Sequence, residues 1–322
     1  MIKKLDYKYP VFNDILTIEW CLGNTCNYAC SYCNLDLHDG TNPWASTDRV
    51  FPFINKVREH AKLNNKKYII WKLEGGEPTV WKDFLHVCEY ITSEPNNFIT
   101  VISNGSRSLK WWNRAASYFT TAHLSMHLEY ADPIHIRQIA DLLSEHKVLT
   151  SVMVMLSKEN WDKGITAIEI LKNSKNKDWA ITALGITKIN LENYGQPEDY
   201  TEEQRKFFNN SKIRPLSIIN DKLPIDSNVR REMLADGIDF NPEIAIVNNE
   251  SNWKGYNCKI GIDQIYIHNN GTLKLGGNCS VQCNNFTGKK FWEDFTFPTG
   301  PAICTQERCA AISDILVPKW KD

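Results

Sequence analysis

The first 186 residues alternate between two hydrophobic patterns. Short runs of β-branched and aromatic residues predict strands at 15–20, 67–73, 98–102, 121–129, 149–156 and 179–186. Longer stretches with apolar residues at helical spacing predict helices at 47–63, 80–91, 109–119, 134–146 and 161–171. This alternation is typical of a parallel sheet with right-handed crossover helices. Six such units are fewer than the eight of a closed (β/α)8 barrel.

The pattern changes after residue 186. Residues 187–254 are polar and interrupted by prolines, and they predict a linker with short helices near 202–208 and 229–235. Further on, two β-rich runs, 264–268 and 272–275, flank Asn269-Asn270-Gly271 and predict a hairpin. The expected domains are therefore a core at 1–186, a linker at 187–254 and a small β-hairpin-containing domain at 255–322.

Strand 121–129 carries polar residues at every second position, namely His123, Ser125, His127 and Glu129. A period of two places them on one face of the sheet, while the apolar set packs against helices. Burial of these groups costs free energy unless they bond a ligand or one another. Both interpretations are open: contacts of Ser125, His127 and Glu129 with a bound ligand, or a self-satisfied interior network.

Composition narrows the functional classes. The chain has 322 residues, 42% of them hydrophobic, with a formal net charge of −1. No basic run is interleaved with aromatic residues, so nucleic-acid binding is disfavoured. No apolar stretch approaches the roughly 20 residues of a membrane helix. The charged N-terminus has no apolar segment behind it, so we expect no signal peptide and a cytoplasmic location.

Ten cysteines are unevenly distributed: four lie at 21–33, one is Cys88, and five lie at 258–309. This distribution predicts two metal sites. Cys26, Cys30 and Cys33 crowd one short loop after the first strand, and thiolates so close together favour a soft metal or a cluster. A structural zinc site with His38 as fourth ligand is the alternative. Cys21 and Cys88 are expected to be unligated core thiols.

The loop and a second motif together resemble one family. Cys26-x3-Cys30-x2-Cys33 with Tyr32 before the last cysteine, followed by Gly75-Gly76-Glu77-Pro78 after the next strand, is similar to the radical S-adenosylmethionine (SAM) superfamily. The resemblance implies an α/β fold with a partial (β/α)6 TIM-like barrel. It also implies a [4Fe–4S] cluster on the three cysteines, with SAM chelating the free iron.

The same resemblance assigns residues around SAM. The motif residues Gly75, Gly76 and Glu77 would hold its amino group, and Tyr32 occupies the aromatic place of the family signature. Ser103 and Asn104 end the third strand and are expected to contact SAM, although a strand-ending turn also explains them. Four loop residues, Asp36, His38, Asp39 and Trp44, would either touch substrate or form a solvated loop.

The second cysteine set, with its hairpin, resembles the SPASM/Twitch group of radical SAM enzymes. This resemblance implies one auxiliary [4Fe–4S] cluster. The expected ligands are Cys258, Cys279, Cys304 and Cys309, with Cys283 as the alternate to Cys279. The spacing between Gly271 and Cys279 departs from the usual SPASM pattern, and a structural zinc site is the alternative.

The resemblance implies an enzyme that cleaves SAM to a 5′-deoxyadenosyl radical and abstracts a hydrogen atom from a substrate. An auxiliary cluster suggests an oxidative outcome, dehydrogenation or cross-linking of a peptide or small metabolite. A flavodoxin or ferredoxin-type reductant is expected. Because only 25 residues precede Cys26, we expect no peptide-recognition domain before the barrel. An RNA- or nucleotide-modifying enzyme and a non-catalytic iron–sulfur protein are the alternatives.

Overall fold

The structure is a computed structural model that describes residues 2–188, 196–197, 199–208, 212–214, 231–247, 250–309 and 311–321. The first part of the chain contains, in order, β1 (Lys4–Tyr7), β2 (Ile15–Cys21), α1 (Thr47–Leu63), β3 (Tyr68–Glu74), α2 (Phe84–Thr92), β4 (Asn97–Ser103), α3 (Leu109–Ala115), β5 (Phe119–His127), α4 (Pro133–Glu145), β6 (Leu149–Leu156), α5 (Trp161–Lys172) and β7 (Ala180–Gly185). Short 3-10 helices lie at Pro10–Asp14, Leu35–Leu37, Pro78–Val80 and Ala116–Tyr118.

The remaining elements are shorter. They are β8 (Thr187–Lys188), β9 (Gln196–Pro197), α6 (Glu202–Phe208), β10 (Lys212–Arg214), β11 (Met233–Ala235), β12 (Ile238–Phe240), α7 (Pro242–Val247), β13 (Asn257–Cys258), β14 (Gln264–Ile267), β15 (Leu273–Lys274), β16 (Ala302–Ile303), α8 (Ile312–Ile315) and β17 (Lys319–Trp320).

A large sheet with the order β10-β7-β6-β5-β4-β3-β2-β14-β15 forms the core. Strands β2 to β7 pair in parallel, each with the next along the chain. The alternation of strands and helices therefore produced the expected parallel sheet, and the predicted α/β partial barrel is confirmed.

The helices cover the apolar face of this sheet. Along β3, for example, Ile69, Trp71 and Leu73 are buried in the main core with α1 and α2, while the residues between them are only partly buried. Burial of each such side chain stabilises the fold by roughly 1.5–3 kcal/mol. The alternate residues form the opposite, more polar face, which is the interior of the barrel.

The C-terminal region completes the barrel sheet. Strand β14 pairs in parallel with β2, in the register Tyr266 opposite Glu19, and continues into β15 as the second arm of the predicted hairpin. The hairpin therefore extends the core sheet.

A second sheet has the order β12-β11-β1-β17-β13-β16. It combines the N-terminal strand β1 with strands from the predicted linker and the predicted C-terminal domain. Strand β1 pairs with β11 and β17, and the domain divisions at residues 186 and 254 stay predictions.

Most predicted elements agree with the observed ones to within a few residues. The helix predicted near 229–235 is wrong in its described part, since Met233–Ala235 is a strand that pairs with β1; residues 229–230 lie outside the described residues. Strand β5 ends at His127, two residues earlier than predicted. Among the described residues, no helix is long and apolar enough to cross a membrane.

A buried ion pair joins the N-terminal edge of the barrel to β14. The Lys66 ammonium binds the Asp263 carboxylate, and the two side chains are 3% and 0% exposed. Tyr7 Oη donates to Asp263 at 3.1 Å, and Lys66 also donates to the Asn13 carbonyl at 2.8 Å. Burial lowers the pKa of Lys66, and Asp263 opposes that shift. The pair therefore links the segment before β3 to the residue before β14.

Replacement of Asp263 by alanine should lower the free energy of unfolding by about 3–5 kcal/mol, because it leaves the Lys66 ammonium buried without its counter-ion. Asp14→Ala is the matched control: it removes the partner of the exposed Lys67 at 2.8 Å and should lower the free energy of unfolding much less, because solvent screens an exposed pair. Denaturant unfolding of both variants measures the difference. Equal decreases in the free energy of unfolding of the two variants would contradict a larger contribution of the buried pair.

Candidate functional site

The loop after β2 carries Cys26, Cys30 and Cys33, of which Cys30 is buried and the other two are partly buried. A tight turn joins the last two, since the Cys33 N–H donates to the Cys30 carbonyl at 3.0 Å. The Tyr28 N–H donates to Cys26 Sγ at 3.4 Å. The loop thus brings the three sulfurs to the carboxyl end of β2, where parallel α/β folds place their active sites.

The three thiols lie within electrostatic range of one another. Burial raises the pKa of Cys30 to about 12, with further increases from Glu129, Cys33 and Cys26. Burial also raises the pKa of Cys33, which Cys26 raises further. Three thiolates in this position need a cationic partner, because burial and mutual repulsion both disfavour their charged forms. The donor set therefore fits a soft metal centre.

Asn24 organises the rest of the loop. Its side chain is fully buried and donates to Asp39 Oδ1 at 2.6 Å and to the Asp36 carbonyl at 2.9 Å, while it accepts from the Asn42 N–H at 2.8 Å. Asp39 also accepts from Thr41 Oγ1 at 2.7 Å. These contacts give Asp36 and Asp39 a structural role in the loop; their contact with a substrate stays a prediction.

Two further loop residues from the sequence analysis lie nearby. Trp44 stacks on Trp81, with ring centroids 5.8 Å apart. His38 Nδ1 is buried and has no hydrogen-bond partner among the described residues. Substrate contacts by Trp44 and His38 also stay predictions.

The Gly75-Gly76 turn after β3 passes directly over the cysteine loop. Gly76 has a φ of +50°, and a Cβ there would lie 2.3 Å from the Thr25 carbonyl oxygen. A Cβ on Gly75, with a φ of +93°, would lie 2.8 Å from the Gly23 carbonyl oxygen. Only glycine allows this approach. The turn is thereby positioned against the residue that precedes Cys26.

Glu77 connects three segments of this site. Its fully buried carboxylate accepts from Thr79 Oγ1 at 2.6 Å, Ser103 Oγ at 2.8 Å and the Asn104 N–H at 2.6 Å. Its own N–H donates to the Thr25 carbonyl at 2.9 Å. Burial raises the pKa of Glu77, and these hydrogen bonds oppose the shift. The carboxylate is bound by protein donors, and its contact with SAM stays a prediction.

Asn104 extends this network to the cysteine loop. Its Nδ2 donates to Asn27 Oδ1 at 2.9 Å and approaches Cys26 Sγ at 3.9 Å. Its Oδ1 accepts from the Ser106 N–H at 3.0 Å, and Ser103 Oγ accepts from the Gly105 N–H at 3.1 Å. Ser103 and Asn104 therefore form the strand-ending turn that the sequence offered as one alternative, and their contact with SAM stays a prediction.

Two of the polar residues predicted on β5 bind the cysteine loop. His127 Nδ1 shares a hydrogen bond with Tyr32 Oη at 2.7 Å. Glu129, which lies in the turn after the strand, accepts from the Ser31 N–H at 3.0 Å and from Ser31 Oγ at 2.6 Å. His127 and Glu129 therefore form hydrogen bonds with other protein groups, as one of the two interpretations predicts. Contacts of Ser125, His127 and Glu129 with a bound ligand stay predictions.

A charged layer lines the barrel interior below this loop. Lys72 Nζ lies 3.3 Å from both the Glu19 and the Glu74 carboxylates. Cys21 Sγ lies 3.1 Å from Tyr266 Oη, which the C-terminal strand β14 contributes. Burial raises the pKa of Cys21 to about 12, with Glu74 adding to the shift. Cys21 is therefore a protonated thiol facing the barrel interior, whereas the sequence suggested a core position.

His123 lies on the same inner face. Its Nδ1 shares a hydrogen bond with Ser151 Oγ at 2.6 Å. Burial lowers the pKa of His123 to about 4, and the nearby Lys72 ammonium lowers it further. His123 is therefore neutral at physiological pH.

Four of the five C-terminal cysteines line one cavity: Cys258, Cys279, Cys304 and Cys309. Burial raises the pKa values of Cys279 and Cys309 to about 12, and both values are further raised by Cys258. Cys283 does not line this cavity, and burial is what raises its pKa. The arrangement thus favours Cys279 over Cys283 as the second member of the set.

Neither cysteine set has the compactness of a mononuclear site. Within the described ranges, no three Cys, His, Asp or Glu side chains converge on a position for a single metal ion. A zinc ion needs ligands about 2.0–2.3 Å from one point. A four-iron cluster is larger, and its ligands stand further apart. The two zinc alternatives therefore stay predictions, as do the two clusters.

Residues 20–203 match the Radical SAM superfamily. This stretch is more than half of the chain. The chain belongs to the radical SAM superfamily.

Its curated relatives include GTP 3′,8-cyclases. The enzyme of Haemophilus ducreyi is 31% identical over 133 residues, which cover 38% of this chain and 34% of the relative. A probable GTP 3′,8-cyclase of Methanocaldococcus jannaschii is 32% identical over 92 residues, 29% of each chain. The match to this radical SAM protein thus spans about a third of the length of these curated relatives.

Solved structures share the fold over most of the chain. Histidine-tagged anSMEcpe with bound AdoMet superposes with a TM-score of 0.51 at 14% identity, over 87% of this chain and 79% of that one. Streptococcus suis SuiB bound to the precursor peptide SuiA gives a TM-score of 0.50 at 14% identity, over 87% and 63%. At such identities the likeness shows a common radical SAM fold.

Several residues of this radical SAM site were not predicted from the sequence. The inner-face residues Glu19, Lys72 and Glu74 have the period-two spacing that identified the polar residues of β5, so the same signal was available. Asn24 and Tyr266 carried no comparable signal, because their roles depend on contacts with residues distant along the chain.

Gly76→Ala should abolish iron binding at the first cysteine site and SAM binding, because the new Cβ would push Thr25 and the adjacent Cys26 out of place. Gly237→Ala is the matched control: Gly237 also has a positive φ, +87°, but nothing lies within 4 Å of its added Cβ. Iron analysis and anoxic SAM titration of both variants would measure iron binding and SAM binding. Normal iron and SAM binding by the Gly76 variant would contradict the close-approach argument.

Glu129→Ala should reduce iron retention by the cysteine loop several-fold, because Ser31, between Cys30 and Cys33, loses its acceptor. Ser125→Ala, on the same side of the barrel, should leave iron retention unchanged. Retention after gel filtration with a chelator distinguishes the two. Full iron retention in the Glu129 variant would show that Glu129 does not stabilise the cysteine loop.

Proposed function

We propose that this chain is an enzyme that reductively cleaves SAM, abstracts a hydrogen atom from a substrate C–H bond and oxidatively modifies that substrate by dehydrogenation or cross-linking. The observation that carries the proposal is the position of the three cysteines. They lie together at the carboxyl end of β2, and the Gly75-Gly76 turn and the Glu77 network bind the same loop.

Cys26, Cys30 and Cys33 would hold a [4Fe–4S] cluster. The residues that would position SAM are Gly75, Gly76, Glu77, Ser103 and Asn104. When bound, such a cluster supplies the electron that cleaves SAM to methionine and a 5′-deoxyadenosyl radical. The chain's own contribution is positional: Glu77 fixes the turn, Asn24 fixes the loop, and the barrel walls exclude water from the radical.

The C-terminal cysteines support a Twitch-like auxiliary site. Four thiols are the complement that a closed [4Fe–4S] cluster needs, and Cys258, Cys279, Cys304 and Cys309 share one cavity. A cluster there would supply a one-electron acceptor, which is the chemistry that an oxidative modification requires. Cys283 lies outside the cavity lining and is not needed in this set.

The substrate is proposed to be a peptide or a small metabolite that enters the barrel interior. The superposed SuiB structure contains a precursor peptide, which favours the peptide. Lys72, Glu19, Glu74 and Tyr266 present hydrogen-bonding groups to this interior. Because iron–sulfur potentials extend to about −700 mV, we expect a low-potential flavodoxin or ferredoxin-type protein as reductant.

A nucleotide substrate is the second candidate. The observation that favours it is the 31% identity over 133 residues to a GTP 3′,8-cyclase. The formal net charge of −1 gives no general attraction to a polyanion such as RNA. A single nucleotide is therefore the form in which this alternative is worth testing.

Anoxically reduced protein incubated with SAM should produce 5′-deoxyadenosine, detected by chromatography and mass spectrometry. Cys30→Ala should abolish the product because the loop loses a cluster ligand, whereas Cys88→Ala, in helix α2, should leave it unchanged. The intact chain should bind about eight iron atoms, two four-iron clusters. About four iron atoms would reject the auxiliary site, and no 5′-deoxyadenosine would reject the SAM chemistry.

A further inference from the structure

A buried lysine stands beside the C-terminal cysteines. Lys319 lies on β17 and is 1% exposed. It is the antiparallel register partner of Cys258 on β13, so the two side chains project from the same face of the sheet. Lys319 also lines the cavity that holds Cys279, Cys304 and Cys309. Its charge is therefore enclosed with all four thiols.

The contacts of Lys319 are those of an ammonium group. Its Nζ donates to the carbonyl oxygens of Asp314 at 2.7 Å, Ile315 at 3.0 Å and Val317 at 2.8 Å. An ammonium has three N–H donors, and each has one acceptor here. A neutral amine would leave one of these carbonyls without a donor. The turn after α8 thus holds a fixed positive charge.

The field of this charge reaches the cysteines. Burial raises the pKa of Cys309, and Lys319 is the strongest influence that opposes the shift. Lys319 also lowers the pKa of Cys304, against the larger effect of burial. The Asp314 carboxylate acts in the opposite direction on Cys279 and Cys309. Its oxygens accept from the Gly277 and Asn278 N–H groups, which favour the ionised carboxylate against the effect of burial.

We propose that Lys319 raises the reduction potential of the iron–sulfur cluster at the C-terminal site by holding a buried positive charge beside it. The inference rests on the proposed auxiliary cluster. A reduced cluster carries one more negative charge than the oxidised cluster, so a nearby cation stabilises the reduced form. The effect is strong because the charge is buried, where solvent screens it little. Lys319 would therefore make the cluster easier to reduce without being one of its ligands.

The test is a redox titration, monitored by electron paramagnetic resonance, of the 322-residue chain with Cys26, Cys30 and Cys33 replaced by alanine. Iron then binds only at the C-terminal site. Lys319→Gln removes the charge and keeps a hydrogen-bond donor, and Lys319→Arg keeps the charge. Lys321→Gln is the matched control, because Lys321 lies two residues further along and is exposed.

At the midpoint potential of the parent chain, Lys319→Gln should lower the ratio of reduced to oxidised cluster about tenfold, a negative shift of about 59 mV for one electron. Lys319→Arg and Lys321→Gln should remain at the parent potential. If Lys319→Gln binds no iron while Lys319→Arg binds it normally, the requirement for the charge is also supported.

Two results would overturn the inference. An unchanged potential in Lys319→Gln, with normal iron, would show that the charge does not act on the cluster. Loss of iron in both Lys319→Gln and Lys319→Arg would show that the lysine is needed for its shape alone. Absence of iron from the parent chain is a different failure, since it removes the proposed auxiliary cluster itself, and the inference falls with it.

Discussion

The first site depends on one buried carboxylate, Glu77. It accepts hydrogen bonds from Ser103 and Asn104 at the end of β4, and its backbone is bonded to Thr25 beside the first cysteine. Three segments distant along the chain are thereby fixed to one group. A buried carboxylate costs free energy unless donors surround it, so the network has to be complete. This requirement explains why the glycine turn, the strand end and the cysteine loop form a single unit.

The two cysteine sites are parts of one structure. Strand β14 pairs with β2 and places Tyr266 in the barrel interior. A hydrogen-bonded chain runs from Asp314, beside the C-terminal cavity, through Gln264 and Arg231 to Thr17 on β2. The second sheet likewise includes strand β1 from the N-terminus. The C-terminal site is therefore connected by hydrogen bonds to the base of the barrel. This connection is compatible with the proposed role of the C-terminal site as electron acceptor.

Local patterns in the sequence were sufficient for the barrel strands and helices, because each has a clear hydrophobic period. They were also sufficient to bring Cys26, Gly76 and Asn104 to one end of the sheet. Local patterns did not predict elements whose structure depends on contacts with residues distant along the chain. Met233–Ala235 is too short to show a period and becomes a strand through pairing with β1. The hairpin joined the barrel because β2 offered an open edge, and Lys319 is a single charge that no local pattern distinguishes.

Cys26, Cys30 and Cys33 would hold the cluster to which SAM binds. Electron–nuclear double resonance on the reduced protein with SAM labelled with nitrogen-15 at its amino group tests it most directly. A nitrogen coupling that disappears in Cys30→Ala is expected. A reduced cluster without that coupling, or zinc bound to these cysteines in anoxically purified protein, would contradict it.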